Sequence, residues 1–71
     1  MKVGDLIQDR VHPEDMAIVL ESGEGAFDDI RLFWIAGGTA GDVTLEGRKF
    51  VLKDFAVLSS ARSASENFNQ K

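Results

Sequence analysis

His12 is the only histidine of the chain, and Asp9, Glu14 and Asp15 stand around it. An imidazole among carboxylates can bind a divalent metal or move a proton. A metal site takes about three or four protein ligands in fixed geometry. The rest of the sequence offers no clear set, so His12 reads as a solvated loop residue. The serines lie mostly in the last stretch and there is no cysteine, so no nucleophilic triad can be assembled.

Three further groups could do chemistry. Asp28-Asp29, with Glu24 nearby, could hold Ca²⁺, but the spacing is not that of an EF-hand loop. It reads as an acidic solvated turn. Gly37-Gly38-Thr39-Ala40-Gly41 is glycine-rich, yet it lacks the Gly-Lys-Ser/Thr ending and following helix of a phosphate loop. It reads as a flexible hairpin link. Arg48, Lys49 and Lys53 form the only local basic group. With Phe50 and Trp34 they could make a small patch for RNA or an acidic protein. As polar positions of an edge strand, they would instead discourage edge-to-edge aggregation, and that reading is preferred. No metal, cofactor or catalytic residue is expected, and the chain is read as a non-enzyme.

The elements that must position these groups follow from periodicity. Lys2 to Gln8 reads as a first strand, with a bend at Gly4-Asp5. Asp9 to Asp15 is a polar loop, in which Pro13-Glu14-Asp15 could start a helical turn. In Met16 to Glu21, Met16, Ile18 and Leu20 share one face, while Ala17 and Val19 share the other. Ser22-Gly23-Glu24-Gly25 is a turn.

Ile30-Arg31-Leu32-Phe33-Trp34-Ile35-Ala36 is the most apolar run and holds the only tryptophan. Ile30, Leu32, Trp34 and Ala36 fall on one face, and Arg31, Phe33 and Ile35 on the other. A strand with one wet face would alternate apolar with polar; here both faces need cover. Phe33, Ile35 and Arg31 are therefore the candidate interaction surface. Either a partner or the chain's own tail or first loop covers them. Both covers stay open.

Asp42 to Leu45 and Lys49 to Leu52 look like a hairpin around Glu46-Gly47-Arg48. Lys53-Asp54-Phe55 resembles a 3₁₀ link capped by Asp54, and Ala56 to Ser59 a last strand. Residues 60–71 lose the strand period and read as a mobile tail, with Phe68 as its only anchor. The organisation predicted is one all-β domain over residues 1–59, an SH3-like barrel of about five strands with a 3₁₀ turn before the last. An OB-fold is the rival, but the gap that should hold its helix is Gly-rich and short.

Composition bounds the function. The chain has 71 residues, so it is a single domain. A domain of this size buries only roughly 60% of the surface its unfolded chain exposes. With no cysteine, neither disulfides nor thiolate metal sites add stability. The net charge of −4 repels phosphate, which disfavours nucleic acid and anionic membrane as partners. No apolar run approaches the roughly 18 residues of a membrane-spanning helix. Met1 to Asp5 lacks the apolar segment of a secretory leader, so the chain is expected to stay in the compartment where it is made.

Four stretches carry a resemblance: Lys2-Val3-Gly4-Asp5-Leu6-Ile7, Ala17-Ile18-Val19-Leu20-Glu21, Arg31-Leu32-Phe33-Trp34-Ile35 and Phe55-Ala56-Val57-Leu58-Ser59. Together they resemble the small SH3-like barrel proteins of tailed bacteriophages. The pattern there is a KVGDLV start, a GIVLE second strand, a VLW third strand ending in Gly, and an LEVIS end. The resemblance spans most of residues 2–59, and its motifs mainly encode fold. It implies a virion component or an accessory protein made during infection, located in the bacterial host cytoplasm or the virion. Similar openings occur in KOW-type domains of transcription and translation proteins. This chain departs from that pattern: Ala17 stands where Gly is usual, and the loops lack Lys/Arg clusters. The expectation is a protein-interaction module that binds a protein partner or itself, with a KOW-like nucleic-acid module as the alternative.

Overall fold

The computed structural model describes residues 1–23 and 29–61. Within them the chain forms strand β1 (Leu6–Asp9), β2 (Met16–Ser22), β3 (Asp29–Ala36), β4 (Val43–Gly47), helix α1 (Arg48–Asp54) and β5 (Phe55–Ser59). The strands make one sheet in the order β4-β3-β2-β1-β5, and every neighbouring pair is antiparallel. The domain is thus all-β, as the sequence predicts, and carries one short helix in addition. The last strand returns beside the first, and β4 does not pair with β5, so the barrel is open.

Alternation decides which side of the sheet is buried. In β3, Ile30, Leu32 and Trp34 are buried while Arg31, Phe33 and Ile35 are exposed, the division expected from the run itself. In β2, Ala17 and Val19 are buried. Ile7 from β1, Val51 from α1 and Phe55 from β5 complete the core. Full burial of one such aliphatic side chain is worth about 1.5–3 kcal/mol. β4 contributes no buried residue. It is held by its ladder to β3 and by one polar contact, the Trp34 indole N–H donating to Thr44 Oγ1 at 2.8 Å. The Trp34 ring leans on Phe55, and Phe55 meets Phe50 edge to face, both pairs with centroids 5.8 Å apart.

Three expectations are corrected. The second arm of the expected hairpin, Lys49 to Leu52, is not a strand. Residues 48–54 form an α-helix, and it replaces the 3₁₀ turn expected at 53–55. Helical spacing places Val51 and Phe55 four apart on one side, and both enter the core. A strand would have carried the chain back beside β4. A seven-residue helix instead advances it about 10 Å, toward β1. Asp54 does not cap; the Phe55 N–H closes the helix on the Val51 carbonyl.

The first strand also starts later than expected, at Leu6. Residues 2–5 form a turn, closed by the Asp5 N–H on the Lys2 carbonyl at 3.0 Å, with Gly4 at φ +91°. Pro13-Glu14-Asp15 makes a turn, not a helix, with the Asp15 N–H on the His12 carbonyl.

The link from β3 to β4 is hydrogen-bonded throughout: Ala40 to Gly37, Gly41 to Trp34, and Asp42 to Thr39. Gly37 is needed there twice over. It sits at φ +92°, and a Cβ would lie 1.8 Å from Asp15 Oδ1. The expected tail begins at Ser60; residues 62–71, with Phe68, lie outside the described residues.

Candidate interaction surface

The pleat turns one residue in two away from the core, and the register lines these residues up. Leu6 of β1 faces Ile18 of β2, Ile18 faces Phe33 of β3, and Phe33 faces Val43 of β4. A row of four apolar side chains therefore crosses the outer face of the sheet. Leu6 and Ile18 are half-buried; Phe33 is 37% and Val43 53% exposed. Cross-strand neighbours at this spacing touch, so the row is one surface.

The next row runs from Glu21 through Arg31 to Leu45. Arg31 Nε lies 3.5 Å from Glu21 Oε2, both side chains in water, and such a pair adds little to stability. Its effect is to keep a guanidinium beside the apolar row. Glu21, Gly23, Asp29, Arg31 and Leu45 border a shallow depression of about 190 Å³ at this end. Ile35 and Leu20 flank the rows. Each is the extra residue of a β-bulge, because the β2–β3 register shifts at both places. Both are exposed, at 41% and 38%.

The structure therefore puts Phe33, Ile35 and Arg31 on one face. It adds Ile18, Leu20, Val43 and Leu45, which sequence reading did not join to them. Their alternation was visible. The cross-strand register that makes them neighbours was not, since periodicity says nothing about which strands pair.

The basic group does not assemble as expected. Arg48 donates through Nη2 to Ser22 Oγ at 2.7 Å and to the Gly23 carbonyl, which ties the start of α1 to the end of β2. Trp34 is buried and presents no ring for stacking on a base. Lys49 and Lys53 remain, four residues apart on one side of α1.

His12 lies 3.7 Å from Glu14 Oε1, with both groups exposed. It borders a depression of about 250 Å³ with Asp9, Val11, Phe50 and Asp54. Asp9 Oδ1 is already used: it accepts the backbone N–H groups of Val11 and His12, which shapes the loop. Among the described residues no group of His, Cys, Asp and Glu is placed to hold a metal ion. The acidic turn lies outside the described residues except for Asp29, which pairs with Gly47. No helix among the described residues is long and apolar enough to cross a membrane.

One residue escaped sequence reading altogether. Asp5 is the only buried charged or polar residue among those described, at 2% exposure. Its Oδ2 accepts the Lys2 N–H at 2.8 Å, and its Oδ1 accepts the Ala61 N–H at 2.7 Å. Lys2 Nζ donates to the Ala61 carbonyl at 2.7 Å. Burial is the largest influence on this carboxyl and pushes its pKa up. The hydrogen bonds from Ala61 and Lys2, with the charges of Lys2 and the N-terminus, outweigh it and hold the pKa below the ordinary value.

No protein-family model, no curated protein and no solved structure matches this chain.

Proposed function

We propose that this chain is a non-enzymatic interaction module whose outer sheet face docks on protein. The observation that carries this is the row Leu6–Ile18–Phe33–Val43. It crosses four strands and ends in large apolar side chains open to water. Scattered exposed apolar residues are ordinary, but a contiguous patch of them on so small a domain marks a contact surface. The resemblance to SH3-like phage proteins agrees with this reading and adds a place for it: a small virion component or an accessory protein in the host cytoplasm. Arg31, beside the row, supplies a polar rim of the kind that orients a docked partner.

The alternative, a KOW-like nucleic-acid module, now draws on Lys49 and Lys53 alone. Arg48 is committed to Ser22 and Gly23, and the net charge of −4 opposes phosphate.

The test is the solution mass of the wild type and of Phe33→Glu by sedimentation. A wild-type mass above that of Phe33→Glu, with the circular dichroism unchanged, is the expected result. Equal masses for the two proteins would remove the outer face from the contact.

A further inference from the structure

Strand β4 ends the sheet, and its outer edge differs from that of β5. The Trp34 N–H donates to the Asp42 carbonyl at 2.9 Å, which fixes the phase of the β3–β4 ladder. In an antiparallel ladder, hydrogen-bonded and non-bonded pairs alternate. Thr44 and Glu46 therefore direct their backbone groups at β3. Val43, Leu45 and Gly47 direct theirs outward. Among the described residues nothing pairs with them, since β4 ends the sheet.

This edge also lacks most of the usual obstacles to pairing. It has no proline, and its register with β3 has no bulge. Its one charged residue, Glu46, is half-buried.

We propose that two copies join through β4, antiparallel, about a two-fold axis at Leu45. The proposal rests on the reading of the chain as an interaction module and names the partner as a second copy. Only this centre uses every outward residue within the strand. Leu45 pairs with Leu45 of the second copy, and Val43 with its Gly47. Centring one residue earlier would set Gly47 against Gly41, in the turn. Centring one later would set Val43 against Lys49, in the helix.

Charge agrees with the same register. Residues of the strand whose numbers are symmetric about Leu45 meet. Glu46 meets Thr44, and no like charges are opposed. The product is a single sheet in which the rows through Leu45 of the two copies meet at the junction, while the row ending at Val43 meets Gly47 of the other copy. The face proposed above and this edge would then form one continuous surface.

The chain has no cysteine, so an introduced one reads the register directly. In a hydrogen-bonded antiparallel pair the Cα atoms lie about 5.5 Å apart, within disulfide range. The pairing predicts that purified Leu45→Cys forms a disulfide-linked dimer under mild oxidation. Val43→Cys should not, because its counterpart lies roughly 14 Å away along the strands. Leu45 and Val43 are both exposed, so neither variant threatens the fold.

Phe33→Glu, which leaves the β4 edge intact, should still sediment as a dimer. A monomeric wild type, or equal cross-linking at 43 and 45, or none at 45, overturns the proposal. Phe33→Glu separates the two readings. If only the edge is wrong, Phe33→Glu abolishes association and Leu45→Cys fails to cross-link selectively. If only the face is wrong, Phe33→Glu keeps the wild-type mass and Leu45→Cys still cross-links.

Discussion

Among the described residues the sheet has two free edges, and they are finished differently. β5 brings Phe55 into the core, and its register with β1 shifts so that Leu58 is an extra, bulged residue. Just beyond it, the Asp5 carboxylate accepts the Ala61 N–H and the Lys2 ammonium donates to the Ala61 carbonyl. A bulge and a polar staple make that edge a poor template for a further strand. β4 has neither. It buries no side chain, keeps a regular ladder and leaves Val43 and Leu45 more than half exposed. The contrast teaches that the fold is closed at one end of the sheet, while the proposed pairing uses the other. The end that closes the fold is anchored and blunted. The opposite end is left regular, and the outer apolar row leads to it.

Substitutions at the two ends should differ accordingly. The largest effect is expected at Phe55, which touches both Trp34 and Phe50. Phe55→Ala should cost about 3–5 kcal/mol by denaturant unfolding. Val43→Ala, measured in dilute solution, should stay within about 0.5 kcal/mol of wild type. A large loss at Val43 would mean that β4 is part of the stable core and would break the comparison.

Asp5 should come next. Asp5→Asn keeps the shape but removes the charge that two backbone donors and Lys2 address, at a cost of about 1–3 kcal/mol near neutrality. The pH dependence has a definite sign. The folded pKa lies below the unfolded value, so the carboxylate stabilises the fold above the unfolded pKa of about 3.9. That stability is lost as pH falls through the folded pKa. Unfolding titrations between neutral and strongly acidic pH should show a steeper acid loss in the wild type than in Asp5→Asn. Parallel curves would show that the staple carries no net stability.

A smaller loss than at Asp5 is expected where β4 meets the core. Thr44→Val removes the acceptor of the Trp34 indole and should cost about 0.5–1.5 kcal/mol. Trp34 is the only tryptophan, so a shift in its fluorescence would report the change at that site alone.

How much of this was legible in the sequence depended on how far apart the partners lie. The faces of β3 were legible because seven consecutive residues fix their own alternation. Helix α1 was misread because Phe50-Val51-Leu52 is a short apolar run that suits either period. What decides it is the need to place Val51 and Phe55 together and to deliver β5 to β1, which is a demand of topology. Asp5 could be seen only as part of a bend, since its second donor lies 56 residues away. Phe33 and Ile35 were recognised as outward residues. Their continuation through Ile18 and Val43 needed the register of three strands.

The Asp5 staple also has a meaning in time. The contact from Lys2 to Ala61 spans 59 residues, nearly the whole described chain. Closing a loop of that length costs on the order of 4 kcal/mol of chain entropy if it is the first contact made. Once β1 has paired with β2, and β5 has found β1, the two peptide segments are already neighbours and most of that cost has been met. The staple is therefore a late event in folding, a clasp on a ring that the strands have drawn shut, and it should form only after the strand order it secures is in place.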